Sequence, residues 1–148
     1  MMNFIRATGI AAVLLLCTAP VFAQGAGIEW ETLNREAMEL YRAGNYDRAV
    51  VVAKKALDVA EKNAGPNHPD VAASLNNLAE LYRAQGQYAQ AEPLYKRALA
   101  IREKALGPNH PDVARSLVNM AALYRKTDRI KEAEKFEARA AAIRAIKR

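Results

Sequence analysis

Two histidines and two aspartates carry most of the chemistry this sequence offers. His68 and Asp70 stand in the joint Asn67-His68-Pro69-Asp70, and His110 and Asp112 in the identical joint Asn109-His110-Pro111-Asp112. Two imidazoles and two carboxylates are a donor set that zinc accepts. The joints stand one full repeat apart, one in each copy, so the pairs belong to successive joints and do not converge. The reading preferred is local: each His lies near a helix N-cap, and each Asp in the first turn faces the positive end of the helix dipole. Ser74 and Ser116 are repeat equivalents too, inside helical patterns, and read as scaffold. Cys17 is the only cysteine. No glycine-rich phosphate loop occurs, and nothing brings nucleophile, base and orienting group together. The sequence therefore predicts no enzyme, no cofactor and no metal.

The elements behind those residues are helices. Gly65 to Ala72 recurs unchanged as Gly107 to Ala114, and LxNxAxLYR follows in both copies. The register runs backwards at the same 42-residue offset: Leu33, Leu75 and Leu117; Ala37, Ala79 and Ala121; Ala49, Ala91 and Ala133; Ala56, Ala98 and Ala140. A period of this length means stacked supersecondary units. In the middle copy Val71, Leu75, Leu78 and Tyr82 form one amphipathic stripe. Tyr88, Ala91, Tyr95, Ala98 and Ala105 form a second, widened by Leu94 and Ile101. Pro69 suits a first helical turn, Gln85-Gly86 breaks the helix, and Gly107-Pro108 ends the next one. The short link forces an antiparallel hairpin, with Ala79 and Ala91 at the close approach and Tyr82 and Tyr88 filling the gap. Trp30, ahead of the first stripe, is read as a plug over the open N-terminal end of the core rather than a ligand anchor.

The first 23 residues read as a secretory signal peptide, with an apolar run from Ala7 to Ala19 and small residues before a cut after Ala23. Residues 24–28 read as a flexible leader, and 29–148 as the repeat domain, in units of about 29–64, 65–106 and 107–148. The expected location is exported, periplasmic or secreted. Charge is uneven. Gln24 to Tyr124 holds 12 basic and 12 acidic residues, whereas Arg125 to Arg148 holds nine basic and four acidic.

The set Leu75, Leu78, Ala79, Tyr82, Gly86, Tyr88, Ala91, Tyr95 and Ala98 resembles a tetratricopeptide repeat. Its 42-residue period and GPNHPDVA joint resemble the variant in kinesin light chains and related bacterial proteins. The end units depart from the pattern. Glu36 stands for Leu78 and Ala53 for Tyr95 in the first. Asp128 stands for the turn glycine and Glu137 for Tyr95 in the third, where Phe136 substitutes from the next position. The resemblance implies an all-α, right-handed solenoid of three helix-turn-helix repeats, with a concave groove lined by the first helix of each unit. It implies a non-catalytic adaptor or scaffold that binds an extended peptide or protein segment. Carried over by position, the groove residues are Arg35, Asn77, Arg115 and Asn119, beside Glu31 and Ala73, with Arg42, Arg83 and Arg125 flanking. The asparagine amides suit a peptide backbone, since each carries donor and acceptor. The set only partly resembles a carboxylate-clamping groove, because Glu31 and Ala73 leave the clamp incomplete. The last helix, about Arg129 to Lys147, suggests two further contacts: an anionic envelope surface held by its basic residues, or a second copy on its apolar outer side. Nucleic acid is not an expected partner of an exported protein.

Overall fold

A computed structural model describes residues 21–146 of the chain. They form six helices in three antiparallel hairpins: α1 (Val21–Arg42) with α2 (Tyr46–Ala64), α3 (Pro69–Ala84) with α4 (Tyr88–Leu106), and α5 (Pro111–Lys126) with α6 (Ile130–Ile146). Consecutive hairpins stack through α2 on α3 and α4 on α5. The all-α solenoid expected from the register is the observed fold. The segment expected as a flexible leader is instead helical, since α1 runs without a break through residues 24–28. The signal-peptide segment up to residue 20 lies outside the described residues.

Local sequence sets the helix ends. His68 and His110 are N-caps in extended conformation, and the Nδ1 of each accepts the backbone N–H of Asp70 or Asp112, at 3.2 and 3.1 Å. Pro69 and Pro111 open the helices that follow, where no N–H is needed. The hairpin turns require a left-handed residue. Gly44 and Gly86 supply it at φ 76° and 74°, and Asp128 takes the same role at φ 59°. An aspartate tolerates this region better than most side chains do, so the third turn survives the loss of glycine.

The core follows the alanine columns. Ala37, Ala49, Ala79, Ala91, Ala121 and Ala133 are each 0–1% exposed, at the closest approach of the paired helices. Tyr82 and Tyr88 pack against the cluster holding Ala79 and Ala91, as the alternation of large and small predicts. Ala105 does not join the buried stripe and is exposed. Helix α4 has 19 residues against 16 in α3, so its last turn outruns its partner. The place at that end is taken by Arg102, which is 4% exposed.

Candidate functional site

The helices α1, α3 and α5 lie along one side of the stack and carry the residues the register assigns to a groove. Asn77 on α3 donates from Nδ2 to Asn34 Oδ1 on α1, at 3.0 Å. Asn119 on α5 donates from Nδ2 to Asn76 Oδ1 on α3, at 2.9 Å. Asn34 passes the polarity on, donating to the Trp30 carbonyl at 3.0 Å. All four asparagines are half-buried. One N–H of Asn77 and one of Asn119 thus tie neighbouring units together. Asn34 and Asn76 complete the pairs. Sequence reasoning passed over them, although they stand in one register column as equivalents in successive repeats.

The opposite side is bridged differently. Arg97 on α4 reaches Glu61 on α2 at 2.6 Å, and Arg139 on α6 reaches Glu103 on α4 at 2.5 Å. These pairs are also repeat equivalents. Short amides link the first helices and long Arg–Glu pairs span the second helices.

The arginines predicted for the groove do not join this amide ladder. Arg35 is exposed on α1, and Arg115 pairs with Asp112 of its own helix at 2.9 Å. Of the flanking set, Arg83 is bound to Glu80, and Arg125 forks onto both oxygens of Glu137 at 2.7 Å. Glu80 also accepts from the buried Tyr95 hydroxyl, at 2.7 Å. Burial pushes the Glu80 carboxyl up, but hydrogen bonds from Arg83, Tyr95 and Tyr41 outweigh it and hold it below the usual carboxylate range. Burial, then Glu80, pushes the Tyr95 hydroxyl up.

A second polar cluster lies where the second and third units meet. Arg129 binds both oxygens of Glu92, at 3.0 and 2.9 Å, and both of Glu132, at 2.9 and 2.7 Å. Its guanidinium lies 3.8 Å from the centroid of the Tyr124 ring. Tyr124 donates its hydroxyl to Glu92 at 2.9 Å, and Lys96 approaches the same carboxylate at 2.6 Å. Partial burial raises the Glu92 carboxyl, but Lys96, Arg129 and Tyr124 overcome it and bring it down to about 2.

Two further groups are structural. Trp30 Nε1 donates to Ser74 Oγ at 2.7 Å, and its ring packs beside Ala60, Val71 and Leu75. It fills space as expected, but in the joint between the first two units rather than over the outer end. Arg102 donates to Ser116 Oγ at 2.6 Å, and burial, then Arg115, lowers its pKa. The histidines act as caps within their own joints. Among the described residues of the C-terminal stretch, Arg125, Arg129 and Arg139 are held by glutamates, whereas Lys126, Lys131, Lys135 and Arg144 are exposed without an ion pair. The apolar residues Ala133, Ala140 and Ile143 of α6 face inward, and its outward side shows alanines with Ile146.

The tetratricopeptide repeat profile matches residues 31–104 and 70–145. Among solved structures, BtubC (BKLC) from P. vanneervenii superposes with a TM-score of 0.74 at 28% identity, covering 84% of this chain and 52% of that one. The nearly identical TPR-like repeats of a Podosopora anserina kinesin-light-chain protein give 0.71 at 27% identity, covering 78% of this chain and 55% of that one. The RxLR effector protein SFI4 of Phytophthora infestans is 35% identical over 63 residues, 43% of this chain and 19% of the effector. The chain thus spans about half of each of those two solved proteins and a fifth of the effector.

Proposed function

This chain belongs to the tetratricopeptide repeat family, and we propose that it is a non-catalytic, exported adaptor or scaffold that holds an extended peptide or protein segment against its asparagine side. The observation that carries this reading is the half-buried amide ladder Asn34–Asn77 and Asn76–Asn119. A side-chain amide offers two N–H groups and two lone pairs. Asn77 and Asn119 each give one N–H to the ladder, which fixes their orientation and leaves a second N–H and the carbonyl for a main chain. Such pairing favours an extended backbone without reading its sequence. The ladder also pre-orders the face, which lowers the cost of binding.

A photo-crosslinking side chain tests the reading. Placed at Ala73 on α3, it captures a polypeptide in the envelope fraction; at the exposed Ala100 on α4, it does not. Equal capture at both positions, or none at Ala73, counts against the groove. Export is tested separately, by sequencing the N-terminus of the cellular protein, which should begin at Gln24.

A further inference from the structure

At the turn end of the joint between the first two units lies a cleft of about 280 Å³, lined by Asp47, Val50, Lys54, Tyr82, Gln85, Gln87 and Gln90. The joint between the second and third units has the equivalent place one repeat further on. Arg129 fills it, stacked on Tyr124 at 3.8 Å and gripped by Glu92 and Glu132. In the first joint Gln87 stands where Arg129 would be, and the ring of Tyr82 stands for Tyr124. Among the described residues the cation near the face of that ring is Lys54 Nζ, 5.9 Å from the centroid. The clamping carboxylates are gone, since Val50 replaces Glu92 and Gln90 replaces Glu132. One carboxylate has appeared instead: Asp47 occupies the position of Ala89. Gln85 Nε2 donates to its Oδ1 at 2.7 Å, and its Oδ2 has no hydrogen-bond partner among the described residues.

We infer that this cleft binds the guanidinium of an arginine side chain supplied by a partner polypeptide, in the manner in which Arg129 fills the equivalent place. The planar cation lies on the Tyr82 face, as a guanidinium does better than an ammonium. It donates to the free oxygen of Asp47 and to the side-chain carbonyls of Gln87 and Gln90. Lys54 opposes it, and no second carboxylate balances that charge, so the site is weaker than the one around Arg129. The cleft lies at the turns, apart from the asparagine ladder, and its occupation does not depend on what the ladder holds.

The test is an NMR titration of the protein with N-acetyl-arginine methylamide, and with its lysine and citrulline counterparts. The arginine compound should shift the signals of Asp47, Gln85, Gln87 and Gln90 saturably, and the other two should not. Asp47→Asn should weaken binding about tenfold, the loss of one charge-assisted pair, and Lys54→Gln should strengthen it. Gln87→Arg places the chain's own guanidinium in the cleft and should abolish the response while the helical signal is kept. No saturable shift with the arginine compound overturns the inference. Equal response to lysine or citrulline overturns it too, as does unchanged binding in Gln87→Arg. Crosslinking at Ala73 reports on the asparagine side alone, so the two readings fail separately.

Discussion

The two joints between consecutive units meet one packing requirement with opposite residues. In the first, a large residue sits on the leading helix and a small one on the trailing helix: Trp30 with Ala60, donating to Ser74. In the second the sizes are exchanged: Ala72, the repeat equivalent of Trp30, is small, and Arg102, the equivalent of Ala60, is large and donates to Ser116. The serine is constant, and only the donor changes sides. At the turn end the joints differ again, with an open cleft in one and Arg129 in the other. The repeated residues thus fix the spacing of the units, and the residues that differ fill what that spacing leaves.

The sharpest way to break this comparison is to empty both joints. Trp30→Ala should cost about 3 kcal/mol in chemical denaturation, the low end for a large aromatic, because its ring is only partly buried. Arg102→Ala should cost about 2 kcal/mol, from lost packing and the hydrogen bond to Ser116. Trp30→Phe keeps most of the ring and should lose about 1 kcal/mol, the share of the Ser74 bond. If Trp30→Phe is as damaging as Trp30→Ala, the hydrogen bond rather than the ring holds the joint.

Acid should separate the joints next. Glu92 is held at about 2 against an ordinary 4.5, so its protonation is easier in the unfolded chain. Its contribution is complete above pH 4.5 and is lost as pH falls toward 2. The first joint has Val50 in its place and keeps only the smaller dependence of Glu80, whose carboxyl Arg83, Tyr95 and Tyr41 hold below the usual range. Hydrogen exchange in α5 and α6 should therefore quicken more on acidification than that in α1 and α2, and Glu92→Gln should narrow the difference. Uniform quickening along the chain would show that the Glu92 cluster does not stabilise its joint.

Smaller effects are expected on the two sides of the stack. Asn76→Ala should cost about 1 kcal/mol in thermal unfolding, through the lost bond to Asn119. Glu103→Gln, which breaks the outer pair with Arg139, should cost no more than about 0.5 kcal/mol, and molar salt should erase even that. An outer pair worth more than the inner amide bond would reverse the assignment of the asparagine side as the closely coupled one.

The repeat register determined much by itself. Six helices, three hairpins, the histidine caps and the alanine contacts all follow from it, because helix periodicity, caps and turns are local and recur wherever the same residues recur. Asp128 was legible as a turn residue for the same reason. The candidate site was legible only as positions. Asn77 and Asn119 could be placed on one face, but their pairing with Asn34 and Asn76 joins residues of different repeats, and so belongs to the way the units stack. Arg115 and Arg125 found carboxylates that pattern alone did not match to them. Arg102 is buried, against the habit of its residue type, with Ser116 and the Asp112 carbonyl of the next unit as its partners. The open cleft beside Gln87 likewise becomes visible only when its filled counterpart is set against it in three dimensions. Local sequence fixes which way each helix starts, turns and faces. What each side chain meets is decided by the neighbouring unit, since partners in successive repeats come together only after the hairpins have stacked.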